Sequence, residues 1–226
     1  MSNMELKVIW LTIKVAIFCT LVTIPIAIWL GWILTRKKII GKPIIEALIS
    51  LPLVAPPVIT GYILLILFGK NGWIGRWIYK WFEVKLAFNF IALVIASVTV
   101  SLPLAVRSIR SSFELVDPAY EKVSLTLGAS KISTFFKVTI PMAIPGILSG
   151  MVLSFARSLG EFGATITLAG NIVGKTQTIA LMVYSNMQVL GMEAKVIRLV
   201  IVSVMISFIA ITVSEIINKR KRYIKR

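Results

Sequence analysis

The sequence contains no histidine and only one cysteine, Cys19, among its 226 residues. Without a second cysteine the chain cannot close an internal disulfide, and without histidine it cannot assemble the usual sites for soft metal ions. Acidic residues are also scarce, with 9 Asp and Glu against 25 Lys and Arg. No acid and base pair, activated nucleophile or metal-ligand cluster can be read from the sequence. It therefore predicts no catalytic residue, no metal site and no cofactor in this chain.

Apolar residues make up 58% of the sequence, and the mean hydropathy is +0.91. This is more apolar than a soluble domain of this length needs to be. A helix that crosses a membrane takes about 20 apolar residues. The composition predicts a single-domain, all-α, multi-pass protein of the cell membrane over residues 1–226, whose first span is too long for a cleaved signal segment. The five predicted spans are 8–34, 44–68, 86–106, 142–168 and 196–217.

Basic residues account for a net charge of +16, which in a soluble protein would suggest a nucleic-acid partner. Here they cluster on alternate connections, at 35–43, at 107–140 and in the carboxyl-terminal tail. The positive-inside rule places these regions in the cytoplasm, with the amino terminus outside and the carboxyl terminus inside. No nucleic-acid partner is predicted. The tail cluster consists of Lys219, Arg220, Lys221, Arg222, Lys225 and Arg226.

Two further connections are predicted to lie at the outer face. Residues 69–85 carry Trp73, Trp77 and Trp81 at helical spacing among lysines, which is typical of an interfacial helix; attraction of an anion or acidic partner is the alternative. Residues 177–190 are too polar to span and predict a short outer or re-entrant helix.

The polar connection at 107–140 is predicted to form two short amphipathic helices. Asp117-Pro118 is a strong helix start, Glu121 follows in the first turn, and Gly128 offers a left-handed stop. Ser130 can cap a second helix, which Pro141 is expected to end. Such a pair between membrane spans predicts a docking segment for a partner protein. We call residues 107–141 the coupling segment.

Prolines interrupt the span at 44–68. Pro52, Pro56 and Pro57 lack backbone donors and should kink or unwind this helix near its middle. A helix that restarts at 58 or 59 would point free N–H groups into an opening, which suits an anion. A purely structural kink is the alternative, although Thr60 favours a pathway.

Arg157 and Glu161 lie four residues apart in the span at 142–168, near mid-membrane. Intramembrane charges usually face an interior or a cavity. A self-neutralising ion pair competes with a substrate contact, and we favour a structural or gating role for Arg157 because a strong permanent contact would trap a dianion.

Small residues on two spans form further candidate surfaces. Gly146, Gly150, Ser154 and Ser158 recur every fourth position and favour close helix packing, either within one subunit or across a homodimer. Ser97 and Ser101 could offer hydroxyls to an anion or bond back to their own helix.

The segment Gly174-Lys175-Thr176 superficially matches a phosphate-binding loop. The first glycine of that motif would fall at position 169, which is Ala169, and no strand precedes it. Nucleotide binding by this chain is therefore not predicted.

Two motifs carry a resemblance to a known family. Gly128 followed by Val138, Ile140 and Pro141 resembles the coupling loop of ABC importer permeases, although the Glu-Ala-Ala signature of that loop falls on residues 122–124, one after Glu121. Residues 154–165, Ser-Phe-Ala-Arg-Ser-Leu-Gly-Glu-Phe-Gly-Ala-Thr, are similar to the molybdate permease branch, together with 51–57 and 174–178. The resemblance extends over residues 44–190.

The resemblance implies the fold of a type I ABC importer permease. It also implies a second copy of the chain, two ABC ATPase subunits that use ATP and Mg, an extracytoplasmic oxyanion-binding protein and membrane lipid as partners. The residues implied in ATPase coupling are Glu121, Lys122, Ser124, Gly128, Ala129 and Pro141. The candidates for the translocation pathway or gate are Pro56, Pro57, Thr60, Ser97, Ser101, Ser154, Arg157 and Glu161.

The function expected from this resemblance is the homodimeric permease of an ATP-driven molybdate importer that works by alternating access. Sulfate and tungstate permeases share the motifs and stay open as alternatives. A channel or secondary transporter that is independent of ATP would belong to a different class; it would tolerate substitution of Gly128.

Overall fold

The computed structural model describes residues 2–224; for residues 213–215 and 217–224 it describes the backbone only. These residues form helices and no strand, which confirms the predicted all-α fold. The helices are α1 (Asn3–Arg36), α2 (Lys42–Val54), α3 (Pro57–Phe68), α4 (Gly75–Phe82), α5 (Phe90–Glu114), α6 (Pro118–Thr126), α7 (Lys131–Thr134), α8 (Ile140–Leu159), α9 (Gly163–Ala169), α10 (Ile179–Met187) and α11 (Glu193–Ile224).

Four helical stretches are long and apolar enough to cross a membrane: α1, α5, Lys131–Leu159 and the first part of α11. The pair α2 and α3 meets the same test together but is bent by 113°. With this pair counted as one broken span, the described residues contain the five predicted spans. Helix α10 has 9 residues and is only about 14 Å long at 1.5 Å per residue, so it is too short to cross.

The core consists of α1, α5 and α8 packed along their lengths. Helices α5 and α8 approach closely at Gly146, where an added Cβ would lie 2.2 Å from the Cβ of Ser112. An added Cβ on Gly150 would lie 3.1 Å from Ile109, also in α5. This part of the predicted small-residue strip therefore packs within the chain.

Helix α5 continues beyond the predicted boundary at residue 106. Ile109 and Phe113 are fully buried at helical spacing, and Arg110 pairs with Glu114 at 2.8 Å. The apolar stripe and the ion pair extend the helix to Glu114. The predicted start of the coupling segment at 107 was therefore wrong, and below the name refers to residues 115–141. The chain leaves α5 only at Leu115.

The prediction that Pro141 ends the second coupling helix was also wrong. The chain is helical without interruption from Lys131 to Leu159 because a π-helical turn, Phe135–Thr139, joins α7 to α8. The Ile140 N–H donates to the Phe135 carbonyl, five residues back. Pro141 lies directly after this wide turn, which accommodates a residue without a backbone N–H inside the continuous helix.

The span predicted at 142–168 is two helices, α8 and α9, and not one. Gly160 follows the end of α8, and residues 161 and 162 leave the helix before Gly163 begins α9. Gly163, the first residue after this interruption, makes the close contact with α3 that is described below.

Different parts of the chain meet at the two ends of the bundle. At one end the Ile179 N–H donates to Thr12 Oγ1 of α1 at 2.9 Å, and Arg198 of α11 lies 3.2 Å from Glu5. The coupling segment lies at the other end, beside Arg36. The basic connections at 35–43 and 107–140 thus meet at one end, as the predicted topology requires. In the tail cluster, the side chains of Lys219, Arg220, Lys221 and Arg222 are not described, and Lys225 and Arg226 lie outside the described residues.

Candidate functional site

The predicted break in the second span is present between α2 and α3. Val54 ends α2, Pro57 begins α3, and the two helices diverge by 113°. Helix α2 contacts the second half of α5, whereas Leu64 of α3 belongs to the cluster around Leu93, at the start of α5. The pair therefore runs from one end of the bundle to the other as a broken span.

Helix α3 packs so closely against α9 that the glycines at the contact leave no room for a side chain. An added Cβ on Gly61 would lie 2.8 Å from the Ala164 backbone, and one on Gly163 would lie 2.6 Å from the Pro57 side chain. Thr60 is also buried here. The break between α2 and α3 and the break between α8 and α9 are consequently in direct contact, with Pro56 and Pro57 left exposed on the surface.

Arg157 and Glu161 form an ion pair with 2.8 Å between Nη1 and Oε2. The two residues do not lie on one helix, as the single predicted span at 142–168 would require. Arg157 is in the last turn of α8, and Glu161 lies in the link to α9. The second carboxylate oxygen of Glu161 accepts a hydrogen bond from the Ala164 N–H at 2.8 Å. Glu161 thereby ties the end of α8 to the first turn of α9. Its side chain is 2% exposed, against 27% for Arg157.

The ion pair lies near the middle of the bundle along its length. Cys19 is at the centre of the 34-residue helix α1, and its sulfur is 3.9 Å from Ser154 Oγ. Arg157 is one turn further along α8, or about 4.5 Å away at 1.5 Å per residue. Its partly exposed guanidinium is thus a charged group near the midpoint of the bundle.

The predicted pathway serines are inside the chain. Ser97, Ser101 and Ser154 are at most 1% exposed. The hydroxyls of Ser97 and Ser101 have no hydrogen-bond partner among residues 2–224, so neither bonds back to its own helix. These serines are therefore buried inside the single chain, whereas Pro56 and Pro57 lie on its surface.

The caps predicted for the coupling segment are confirmed. The Asp117 carboxylate accepts a hydrogen bond from the Ala119 N–H at 2.8 Å, and Ser130 Oγ accepts from the Ser133 N–H at 3.1 Å. Gly128 adopts φ +86°, and an added Cβ would meet no atom within 4 Å. Gly128 therefore joins the two short helices in the left-handed conformation that favours glycine.

Glu121 turns inward and joins three parts of the chain. Its Oε1 atom accepts from Arg36 of α1 at 3.0 Å and from the Thr139 hydroxyl at 2.9 Å. Arg36 also donates to the Val116 carbonyl at 2.9 Å. The coupling segment is thus fixed both to the end of α1 and to the start of α8.

The remaining coupling residues lie on a segment that is largely open to the surroundings. Ser124 Oγ and Thr134 Oγ1 are 2.9 Å apart and hold α6 to α7. Lys122, Gly128 and Pro141 are exposed, and Ala129 is half-buried. Four apolar side chains are more than half exposed on α6, α7 and their link: Tyr120, Val123, Leu127 and Ile132.

A cleft of about 300 Å³ separates α2 from α5. It is crossed by two polar contacts, Arg110 Nη1 to Glu46 Oε1 at 2.7 Å and Arg107 Nη2 to Ser50 Oγ at 3.1 Å. None of the residues of α2 is fully buried. We call these two contacts the α2 latch.

Sequence reasoning missed Arg36, Thr139 and the residues of the α2 latch as functional candidates. Glu46 is the one carboxylate of α2, so a search for basic partners of that charge could have found the latch. Arg36 is 85 residues from Glu121, and no local pattern links them.

The part of the chain that the structure describes holds no cluster of three or more His, Cys, Asp or Glu side chains able to bind a metal ion.

Comparison with known proteins gives one consistent result. Residues 23–223 match the family described as "Binding-protein-dependent transport system inner membrane component". The chain is 46% identical to "Molybdenum transport system permease protein ModB" of Haemophilus influenzae over 96% of its own length and 95% of the relative. It is 39% identical to "Sulfate transport system permease protein CysT" of Escherichia coli over 70% of its length and 57% of that protein.

The fold also matches a solved structure. A bacterial ABC transporter involved in the import of the acidic polysaccharide alginate contains a chain that superimposes with a TM-score of 0.71. The match covers 100% of this chain and 82% of the other, at 14% sequence identity. At that identity the likeness concerns the fold alone.

Proposed function

Because the chain belongs to the family of binding-protein-dependent transport system inner membrane components, we propose that it is the permease of an ATP-driven importer that carries molybdate into the cell. The observation that carries this proposal is the likeness to the molybdenum transport permease of Haemophilus influenzae, which extends over almost the whole of both chains. The chain is a multi-pass membrane protein of a transporter family and not itself catalytic.

The energy for transport comes from partner subunits in this proposal. Two ABC ATPases bind ATP and Mg and dock on the coupling segment from the cytoplasm. The exposed apolar side chains of Tyr120, Val123 and Leu127, on the Gly128 side of the segment, suit such a docking surface. Glu121 acts from inside the segment, since its contacts with Arg36 and Thr139 keep the docking surface fixed to α1 and α8.

The working unit is a homodimer with the pathway between the two copies. One chain has too few helices to enclose a pathway. Helix α2 has no fully buried residue, and the break at Pro56 and Pro57 is exposed. A second copy would cover these surfaces and enclose the partly exposed Arg157 beside the break.

Transport proceeds by alternating access. ATP binding draws the two coupling segments together, and the movement passes into α8 through the continuous helix Lys131–Leu159. The α2 latch opens or closes the cytoplasmic side, because its two contacts are the polar links that hold α2 to α5. Arg157 is a structural or gating residue, held by Glu161, and does not bind substrate tightly.

The orientation follows the basic connections. The coupling segment and carboxyl terminus face the cytoplasm, and the amino terminus lies outside with α10 and the start of α11. An extracytoplasmic binding protein delivers the oxyanion to that outer end.

Sulfate is the second candidate substrate, because the chain is also 39% identical to a sulfate transport permease. The match covers 57% of that protein, against 95% of the molybdenum relative, which favours molybdate. Uptake of labelled molybdate with sulfate or tungstate added at equal concentration, in the presence of the partner subunits and binding protein, tests the choice. Competition by sulfate at equal concentration would contradict the molybdate assignment.

Coupling is tested with Gly128→Asp. We expect uptake to fall at least tenfold while the protein still inserts, because the new side chain projects from the docking surface. Gly41→Asp is the matched control: Gly41 also has a positive φ, +77°, and open space around it, but it lies between α1 and α2, outside the coupling segment. The backbone cost of the two substitutions is therefore similar. Normal ATP-dependent uptake by Gly128→Asp would refute docking at this segment, and uptake that needs no ATP would favour a channel.

A further inference from the structure

A groove of about 720 Å³ lies between the last turns of α1 and the coupling segment. One wall carries Trp29 and Trp32 of α1; the other carries Ile132, Phe135 and Phe136. The ring centroids of Trp32 and Phe135 are 5.4 Å apart in an edge-to-face arrangement, which closes the floor of the groove. Trp29, Ile132 and Phe136 are each more than 60% exposed, so the described residues leave this large apolar surface uncovered.

The length of the groove matches one leaflet of a bilayer. It extends along α1 from Pro25 to the level of Glu121, which is paired with Arg36. The 11 residue steps from Pro25 to Arg36 rise about 16 Å at 1.5 Å per residue. Half of the hydrocarbon core of a membrane is about 15 Å thick. Tryptophans near the end of a spanning helix are typical of the headgroup level.

The rim of the groove is positively charged. Lys131 lines it, and Lys37 Nζ lies 5.9 Å from the centre of the Trp32 ring. Neither lysine makes an ion pair with another described side chain, whereas Glu121, the acidic residue of the groove, is already neutralised by Arg36 at 3.0 Å. The rim thus offers two uncommitted ammonium groups next to an apolar channel.

We propose that this groove binds one anionic phospholipid of the cytoplasmic leaflet, with an acyl chain between Trp29 and Phe136 and the phosphate between Lys37 and Lys131. The apolar walls, the length of one leaflet and the cationic rim match the three parts of such a lipid. This site is independent of the transported substrate, so its test does not depend on the function proposed above.

The test measures lipid retained by the purified protein in native mass spectrometry after titration with phosphatidylglycerol or phosphatidylcholine. We expect one tightly retained phosphatidylglycerol, and about thirtyfold weaker retention in Lys37→Gln/Lys131→Gln, since each of the two basic residues near the surface contributes on the order of 1 kcal/mol. Lys38→Gln/Lys137→Gln is the matched control: both lysines are exposed in the same regions, outside the groove, and the change in net charge is the same.

Two further arms identify the source of binding. Trp29→Ala should weaken retention of both lipids, because it removes a wall of the groove. Soluble glycerol 3-phosphate should not compete, because the acyl chain supplies part of the affinity. Equal losses in the groove variant and the control variant would overturn the proposal. So would full competition by glycerol 3-phosphate, or a groove that stays inaccessible to lipid because a second copy of the chain covers it.

Discussion

The two halves of the broken span are held to the rest of the molecule in opposite ways. Helix α3 is locked against α9 by backbone contacts that leave no room for a side chain at Gly61 or Gly163. Helix α2 has no fully buried residue and is tied to α5 across a cleft by Glu46 and Ser50. Partly exposed polar contacts contribute little stability and can separate at low cost. The comparison indicates that α3 is the fixed half and α2 the half that can move.

The largest effect is expected from a side chain placed between α3 and α9. Gly61→Val should lower the free energy of unfolding by about 3 kcal/mol or more, because the backbone of Ala164 cannot move aside. The thermal unfolding midpoint of the detergent-purified protein measures this loss. Gly160→Ala is the control, since an added Cβ there meets nothing within 4 Å. If both variants unfold at the wild-type temperature, α3 is not locked.

The next effect concerns the link that turns α8 into α9. Glu161→Gln keeps an oxygen for the Ala164 N–H but leaves Arg157 without its counter-ion. We expect a loss of about 2 kcal/mol, less than for a fully buried pair because Arg157 is partly exposed, together with impaired uptake. Chemical denaturation and an uptake assay measure the two effects. Glu83→Gln, at an exposed site, should change neither; equal stability of Glu161→Gln and wild type would show that the pair does not hold the break.

A third effect distinguishes movement from stability. Glu46→Gln removes the charge that holds Arg110 and should cost less than 1 kcal/mol. It should nevertheless raise the thiol labelling rate of a cysteine introduced at Ile49, which lines the cleft, severalfold. Cys19 is buried and gives a low background. The matched experiment places a cysteine at Leu65 of α3. A similar rise at both positions would mean that the two halves open together.

The smallest effect is expected for Ser50→Ala. This variant removes one exposed hydrogen bond, from Arg107 at 3.1 Å, and should change stability by less than about 0.5 kcal/mol. Labelling at Ile49 should rise less than in Glu46→Gln. A larger rise would make Arg107, and not Arg110, the main contact of the latch.

Local sequence patterns predicted the features that local forces determine. Asp117, Gly128 and Ser130 cap or link helices through contacts within a few residues, and all three were identified correctly. Adjacent prolines predicted the break at Pro56 and Pro57 for the same reason.

Features that depend on distant contacts were not predictable in this way. Glu121 faces Arg36, 85 residues away, and its sequence neighbours give no indication of that direction. Helix α8 ends at Leu159 and α9 packs against α3, far away in the sequence. A hydropathy window shows one continuous apolar stretch across this interruption. The wide turn before Pro141 likewise has no single-residue signature, so the proline was read as a stop.

The tightest contact of the continuous helix Lys131–Leu159 lies close to its centre. Gly146 approaches α5 halfway along the unbroken helix from Lys131 to Leu159, with arms of about 20 Å on either side. A rigid rod that tilts about a central fulcrum moves its ends in opposite directions by similar distances. In the proposed homodimer, a force that brings the two coupling segments together would therefore move the opposite ends of the same helices apart.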